Sequence, residues 1–165
     1  DGNKDGLDDP LSMGISGQLT AEGHRLKARV YFADTDFTGV VYHARYLEFL
    51  ERGRSDLLRL AGVHHSELAQ GRHGEQLSWV VRRMEIDFRQ PARIDDILTV
   101  DTRVENISGA RIFMAQTLTR GGVLLVEARV EAAVVGASGK PRRFPREWAQ
   151  AFMRRPENVD VDRRS

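Results

Sequence analysis

Asp34, Asp36, Gly39 and His43 stand close together in the stretch Arg29-Val-Tyr-Phe-Ala-Asp-Thr-Asp-Phe-Thr-Gly-Val-Val-Tyr-His-Ala-Arg-Tyr46. A carboxylate can attack a carbonyl carbon or take a proton from water, and an imidazole can orient that water or protonate a departing group. Main-chain N–H groups at the start of a helix can stabilise an oxyanion. These are the parts needed to hydrolyse an activated carbonyl. Asp-Thr-Asp on its own is ordinary turn and cap chemistry, because Asp oxygens accept backbone N–H bonds. The combination with Gly39, His43 and an apolar helical pattern just beyond is what points to a reaction. Asp34 is read as a structural hydrogen-bonding residue, Asp36 as the reactive one and Gly39 as the backbone hinge.

Such groups work only if something rigid holds them. On the N-terminal side, His24 to Phe32 alternates like a strand, and on the C-terminal side Tyr46, Phe49, Leu50, Gly53, Leu57 and Leu60 recur at helical spacing. Glu48 and Arg52 form an i,i+4 pair on that helix, and Gly62 suits its C-terminal cap. The second half reads as strands over Trp79–Phe88, Ile97–Val104, Ala110–Thr119 and Val123–Val135, with Ser108-Gly109 and Gly121-Gly122 placed for tight turns. A short amphipathic helix from Pro145 to Met153 follows. One long apolar helix with a run of consecutive antiparallel strands implies an α+β domain whose sheet curls around the helix. Residues 1–23 lack periodicity and are rich in Gly, Asp and Ser, which reads as a disordered lead-in; 24–155 is the domain and 156–165 a flexible tail.

Composition narrows the classes of partner. The chain has 165 residues, 41% of them hydrophobic, and 25 Lys plus Arg against 24 Asp plus Glu, so its net charge of +1 offers no general field for nucleic acid or an anionic membrane. There is no cysteine, which excludes disulfides and thiolate chemistry and fits a cytoplasmic protein. No apolar run reaches the roughly 20 residues of a membrane span. The histidines show no metal-ligand spacing, and neither a P-loop nor a dinucleotide fingerprint occurs, so neither a metal nor a bound cofactor is expected.

The strand ending Arg-Val-Tyr-Phe, then Asp-Thr-Asp, Gly39, Val-Val-Tyr-His and the helix opening Tyr-Leu-Glu-Phe-Leu-Glu-Arg resembles the active-site region of hotdog-fold acyl-CoA thioesterases. The likeness is to the 4-hydroxybenzoyl-CoA thioesterase family, in particular its bacterial branch associated with the Tol-Pal envelope system, the YbgC branch. It runs from Arg29 to Trp148, and Arg82-Arg-Met-Glu-Ile-Asp-Phe is similar to the second strand of that branch.

The resemblance implies a curved antiparallel sheet wrapped around a long central helix. It implies a homodimer or homotetramer with active sites at the interface, and Asp36 as nucleophile or general base with His43 assisting. Backbone N–H groups near Gly39 and His43 would face the oxyanion. The substrate class it implies is acyl-CoA, with coenzyme A as part of the substrate. A thioester on acyl carrier protein, or a role as a non-catalytic acyl-ligand or protein-interaction module of the envelope machinery, is the alternative. Phosphates of coenzyme A call for surface Arg near the site. Arg89 is the preferred candidate, followed by Arg82 and Arg83, with Arg93 and Arg111 also in reach of such a role. Two positions depart from related sequences, which often carry Tyr at Phe32 and Asn at Arg45. Phe32 lacks the hydroxyl, and Arg45 opposes the helix dipole, so it is read as facing a phosphate or a partner subunit.

Overall fold

The structure, a computed structural model, describes residues 17–63 and 76–153. His64, His65 and the tail from Pro156 to Ser165 lie outside the described residues. The alternating segments form strands β1 (Gln18–Leu19), β2 (His24–Arg29), β3 (Leu77–Phe88), β4 (Ile97–Ser108), β5 (Arg111–Arg120) and β6 (Val123–Gly136). They join in one six-stranded antiparallel sheet of order β1-β2-β4-β5-β6-β3.

The long helix α1 (His43–Leu60) packs across one face of this sheet through Tyr46, Phe49, Leu50, Gly53 and Leu57, all buried. On β6, the residues Val126, Ala128, Val130, Ala132 and Val134 are buried. One apolar cluster joins Phe49 and Leu50 to Val30, Leu98, Val100, Leu118 and Leu125. Full burial of each such side chain is worth roughly 1.5–3 kcal/mol, so this stripe, more than helix propensity, holds α1 in place. A second cluster gathers Leu58, Ile112 and Val130 under the closing helix α2 (Arg146–Met153). There Trp79 of β3 meets Phe144, Trp148 and Phe152 at ring separations of 5.0, 6.1 and 6.1 Å. A long helix on an open antiparallel sheet is the hotdog arrangement that the resemblance implied.

At Gly53 the helix lies directly against side chains of the sheet. A Cβ there would lie 2.8 Å from Val100 Cγ1 and 3.0 Å from Thr102 Oγ1. Beside it the buried Gln116 amide donates to Leu50 O at 2.9 Å and Thr102 Oγ1 at 2.8 Å, and its Oε1 accepts from Arg54 at 2.9 Å. Gln116, Thr102 and Arg54 are thereby paired with one another and with the helix backbone.

The place of β3, which no short turn predicts, is at the outer edge of β6, since β2 occupies the free edge of β4. Three sequence expectations need correction. β2 ends at Arg29 rather than Phe32, because the Asp34 carboxylate accepts the Tyr31 N–H at 2.9 Å and draws Phe32–Asp34 into a single 3-10 turn. The lead-in does not extend to residue 23, since Gln18–Leu19 pairs with β2 and Gly17 N–H reaches Asp56 Oδ2 at 2.8 Å. Backbone bonds, which leave no side-chain period, hold this arm. Finally, Glu48 pairs with Arg45 at i,i+3 instead of Arg52, whose guanidinium carbon lies 5.8 Å from the Phe49 ring centre.

Candidate active site

Residues 35–41 form a closed loop between the 3-10 turn and α1. Thr35 bridges Val41, Asp36 N–H donates to Val40 O at 2.9 Å, and Gly39 N–H donates to Asp36 O at 3.1 Å. Gly39 has φ +78°, a conformation that costs other residues energy. The far side of the loop is stitched to residues 92–94 by Val41 N–H to Ala92 O at 2.9 Å and Ile94 N–H to Gly39 O at 3.2 Å. Both edges of the loop are therefore fixed by main chain.

Asp36 stands exposed at the tip of the loop. Its Oδ1 accepts from Thr38 Oγ1 at 2.6 Å and from Thr38 N–H at 2.8 Å, while Oδ2 makes no hydrogen bond with any described residue. The Thr38 hydroxyl, then its N–H, hold the Asp36 carboxyl below the usual carboxylate range. The result is an ionised carboxylate with one oxygen clamped and the other free for a water or a carbonyl carbon.

His43 is the first residue of α1. Its ring meets Phe88, at the end of β3, edge-on at 5.0 Å between centroids. The same Phe88 lies 5.6 Å from the ring of Tyr46, whose hydroxyl accepts the Ala92 N–H at 2.9 Å. The N-cap Tyr42 gives α1 no side-chain cap and its first turn holds no acid, so the His43 and Ala44 N–H groups have no acceptor among the described residues. Open donors at a helix start are suited to an oxyanion. Gly39 differs from its expected part in this, because its N–H is already taken by Asp36 O.

The arginines separate. Arg89 follows Phe88 directly and so stands at the His43 end of the molecule, with its guanidinium 2.9 Å from Glu127. Arg93 belongs to the segment that supports the loop, bridging Val40. Arg82 and Arg83 sit six and five residues back along β3 from Phe88, about 16–20 Å at strand rise. Arg83 pairs with Glu85 at 2.7 Å, and Arg82 lines a cavity of about 480 Å³ with Asn106, Arg111 and Phe113. Arg111 itself pairs with Glu131 at 2.9 Å. Arg45 does not reach outward as expected: it turns back toward Asp34 and Glu48. Phe32 is exposed and contributes its carbonyl to the Thr35 hydroxyl at 2.8 Å.

Sequence reasoning missed Thr38 and Phe88. Thr38 had a signal, since Asp-x-Thr is an Asx-turn pattern. Phe88 had none, because a residue so far along the chain meets His43 only through the fold. Among the described residues no group of three or more His, Asp or Glu side chains is gathered as a metal site.

Residues 30–152 match the model of the thioesterase-like superfamily, and the chain belongs to that family. Among individual proteins it is 41% identical over 131 residues to the acyl-CoA thioesterase YbgC of Haemophilus influenzae, covering 79% of this chain and 94% of that protein. It is 37% identical over 130 residues to the acyl-CoA thioester hydrolase YbgC of an Escherichia coli O6:H1 strain, covering 78% and 94%. The crystal structure of a probable thioesterase from Bartonella henselae superposes with a TM-score of 0.72 at 56% identity, over 74% of this chain and 98% of that one.

Proposed function

We propose that the protein hydrolyses acyl-CoA thioesters, with Asp36 as the reacting carboxylate. The observation that carries this reading is the carboxylate itself, ionised, pinned through one oxygen by Thr38 and free at the other, on a loop that opens into an uncapped helix start. Either Asp36 adds to the thioester carbon and expels the thiolate, leaving an acyl-Asp anhydride that water opens, or it takes a proton from a water that adds instead. In both, the carbonyl oxygen becomes negative in the tetrahedral intermediate, where the His43 and Ala44 N–H groups would receive it. His43 orients the water or hands a proton to the departing thiolate. The names of the YbgC relatives support the acyl-CoA substrate.

Exposed Tyr31, Phe32 and Phe37 flank Asp36, and the free edge of β3 exposes Val80 and Val81. Both features support an oligomer, and Arg93, which bridges Val40 of the loop, and Arg89, next to Phe88, are the candidates for the phosphates of coenzyme A. No helix of the described residues is long and apolar enough to cross a membrane, and we place the enzyme in the cytoplasm.

Asp36→Asn tests the assignment. Hydrolysis of acyl-CoA should fall at least about a hundredfold with the fold retained, and near-normal turnover would remove Asp36 from the chemistry. An acyl-enzyme trapped in a single turnover selects the nucleophilic route. Comparing one acyl group on coenzyme A and on acyl carrier protein identifies the thiol carrier.

A further inference from the structure

Arg45 carries a pattern of contacts that the reaction as described does not use. It lies on the first turn of α1, where a cation opposes the helix dipole and finds no carbonyls to bind. Its guanidinium nevertheless turns back across the start of the active-site loop. Nε approaches Asp34 Oδ1 at 3.4 Å, Nη2 donates to Ala33 O at 3.2 Å, and Nη1 pairs with Glu48. The guanidinium carbon lies 5.2 Å from the Tyr42 ring centre. Asp34, largely buried, uses its other oxygen for the Tyr31 N–H at 2.9 Å.

These contacts form a brace between two elements that otherwise meet only through the loop. The 3-10 turn Phe32–Asp34 ends two residues before Asp36, and α1 begins seven residues after it. Thr38 fixes the Asp36 carboxylate relative to its own loop, whereas the contacts of Arg45 with Asp34 and Ala33 O tie the turn directly to the helix start that carries the open N–H groups. We infer that Arg45 is a positioning residue for the reaction: through Asp34 and Ala33 O it sets the Asp36 turn at a fixed distance from the first turn of α1. The inference rests on the proposed role of Asp36. A rigid fork that meets a carboxylate and a carbonyl at once is suited to this, whereas an ammonium group makes one such contact without fixing direction. A carboxylate displaced by about 1 Å from its approach to a carbonyl can lose of the order of a hundredfold in rate.

The brace acts by position. Arg45 does not figure among the causes that depress the Asp36 carboxyl, which come from Thr38 and Val40. The test is therefore steady-state kinetics with one acyl-CoA on Arg45→Ala, Arg45→Lys and Asp34→Asn, with the double variant Arg45→Ala/Asp34→Asn and with Asp36→Asn in parallel. Arg45→Ala should lower kcat about ten- to a hundredfold with KM within about twofold and the acid limb of the pH profile unmoved. Arg45→Lys should recover part of the loss, and the double variant should be no worse than about the poorer single one, because both break one brace.

Wild-type kcat in Arg45→Ala would overturn the inference. A loss confined to KM would overturn it too, since it makes Arg45 a substrate contact. Losses that multiply in the double variant would show that Arg45 and Asp34 act separately. Should Arg45→Ala fail to fold, the Lys and Asp34→Asn variants carry the same comparison. If Asp36→Asn remains active, the proposed function fails. If Asp36→Asn is dead while Arg45→Ala is normal, only the brace fails.

Discussion

Thr38 shows how much of a site can rest on one hydroxyl. Its Oγ1, 2.6 Å from Asp36, both aims the carboxylate and stabilises its charged form. Because the folded-state pKa is lowered, the ionised form needed for hydrolysis persists below the usual carboxylate value of about 3.9. Thr38→Val should raise that pKa and move the acid limb of kcat/KM to higher pH, while Thr38→Ser leaves it in place; an unmoved limb in the valine variant would deny Thr38 this part. The same sign governs stability. The contribution of the depressed carboxyl is complete above the unfolded pKa and is lost as pH falls through the folded one, so the valine variant should lose less stability on acidification. Asp36, Gly39 and His43 were legible as a group because they lie on one short stretch, where residue types and turn rules apply directly. The way Arg45 folds back was not, because helix-dipole reasoning looks along the helix and the competing acceptors, Asp34 and Ala33 O, lie off its end. Phe88 was invisible for a different reason, since only the pairing of β3 with β6 brings it to His43.

α1 was the most legible element, because six apolar positions at helical spacing leave no strand alternative. Periodicity placed its start at Tyr46, one turn late, as His43, Ala44 and Arg45 carry no apolar repeat and join the helix as its exposed first turn. Gly53 read as one member of the apolar stripe, but its importance lies in having no side chain. Gly53→Ala would gain about 1 kcal/mol of helix propensity and place a methyl 2.8 Å from Val100 Cγ1. Overpacking of that kind costs about 1–3 kcal/mol, and neither neighbour can readily withdraw, since Val100 is fully buried in the core and Thr102 Oγ1 is held by Gln116. We expect a net loss near 1 kcal/mol, seen as a fall of about 2–4 °C in Tm. A rise in Tm would show that the helix can move away from the sheet at little cost. The strands were legible in extent to within a few residues, while their order was not, since short turns predict only the neighbours β4–β5 and β5–β6.

The molecule as a whole presents one long sheet edge. Eleven of the twelve residues of β3 pair with β6 and none with another described strand, and its Val80 and Val81 are exposed. Open apolar edges of this length recruit another strand. If copies associate here, Val80→Lys/Val81→Lys should shift the protein to monomer in light scattering, with acyl-CoA hydrolysis falling in parallel; an unchanged mass would move the interface elsewhere. The position of β3 also bears on the order of folding. β4, β5 and β6 are joined by tight turns, whereas β3 must find β6 across the whole intervening meander, with Leu77 opposite Gly136. Loop closure disfavours such a pairing until the nearer contacts exist. Ile86→Val in β3 should then mainly speed unfolding, and Leu118→Ala in β5 mainly slow refolding. Since Phe88, the surface on which His43 rests, arrives with β3, regained hydrolysis should lag behind regained secondary structure when the protein refolds from denaturant.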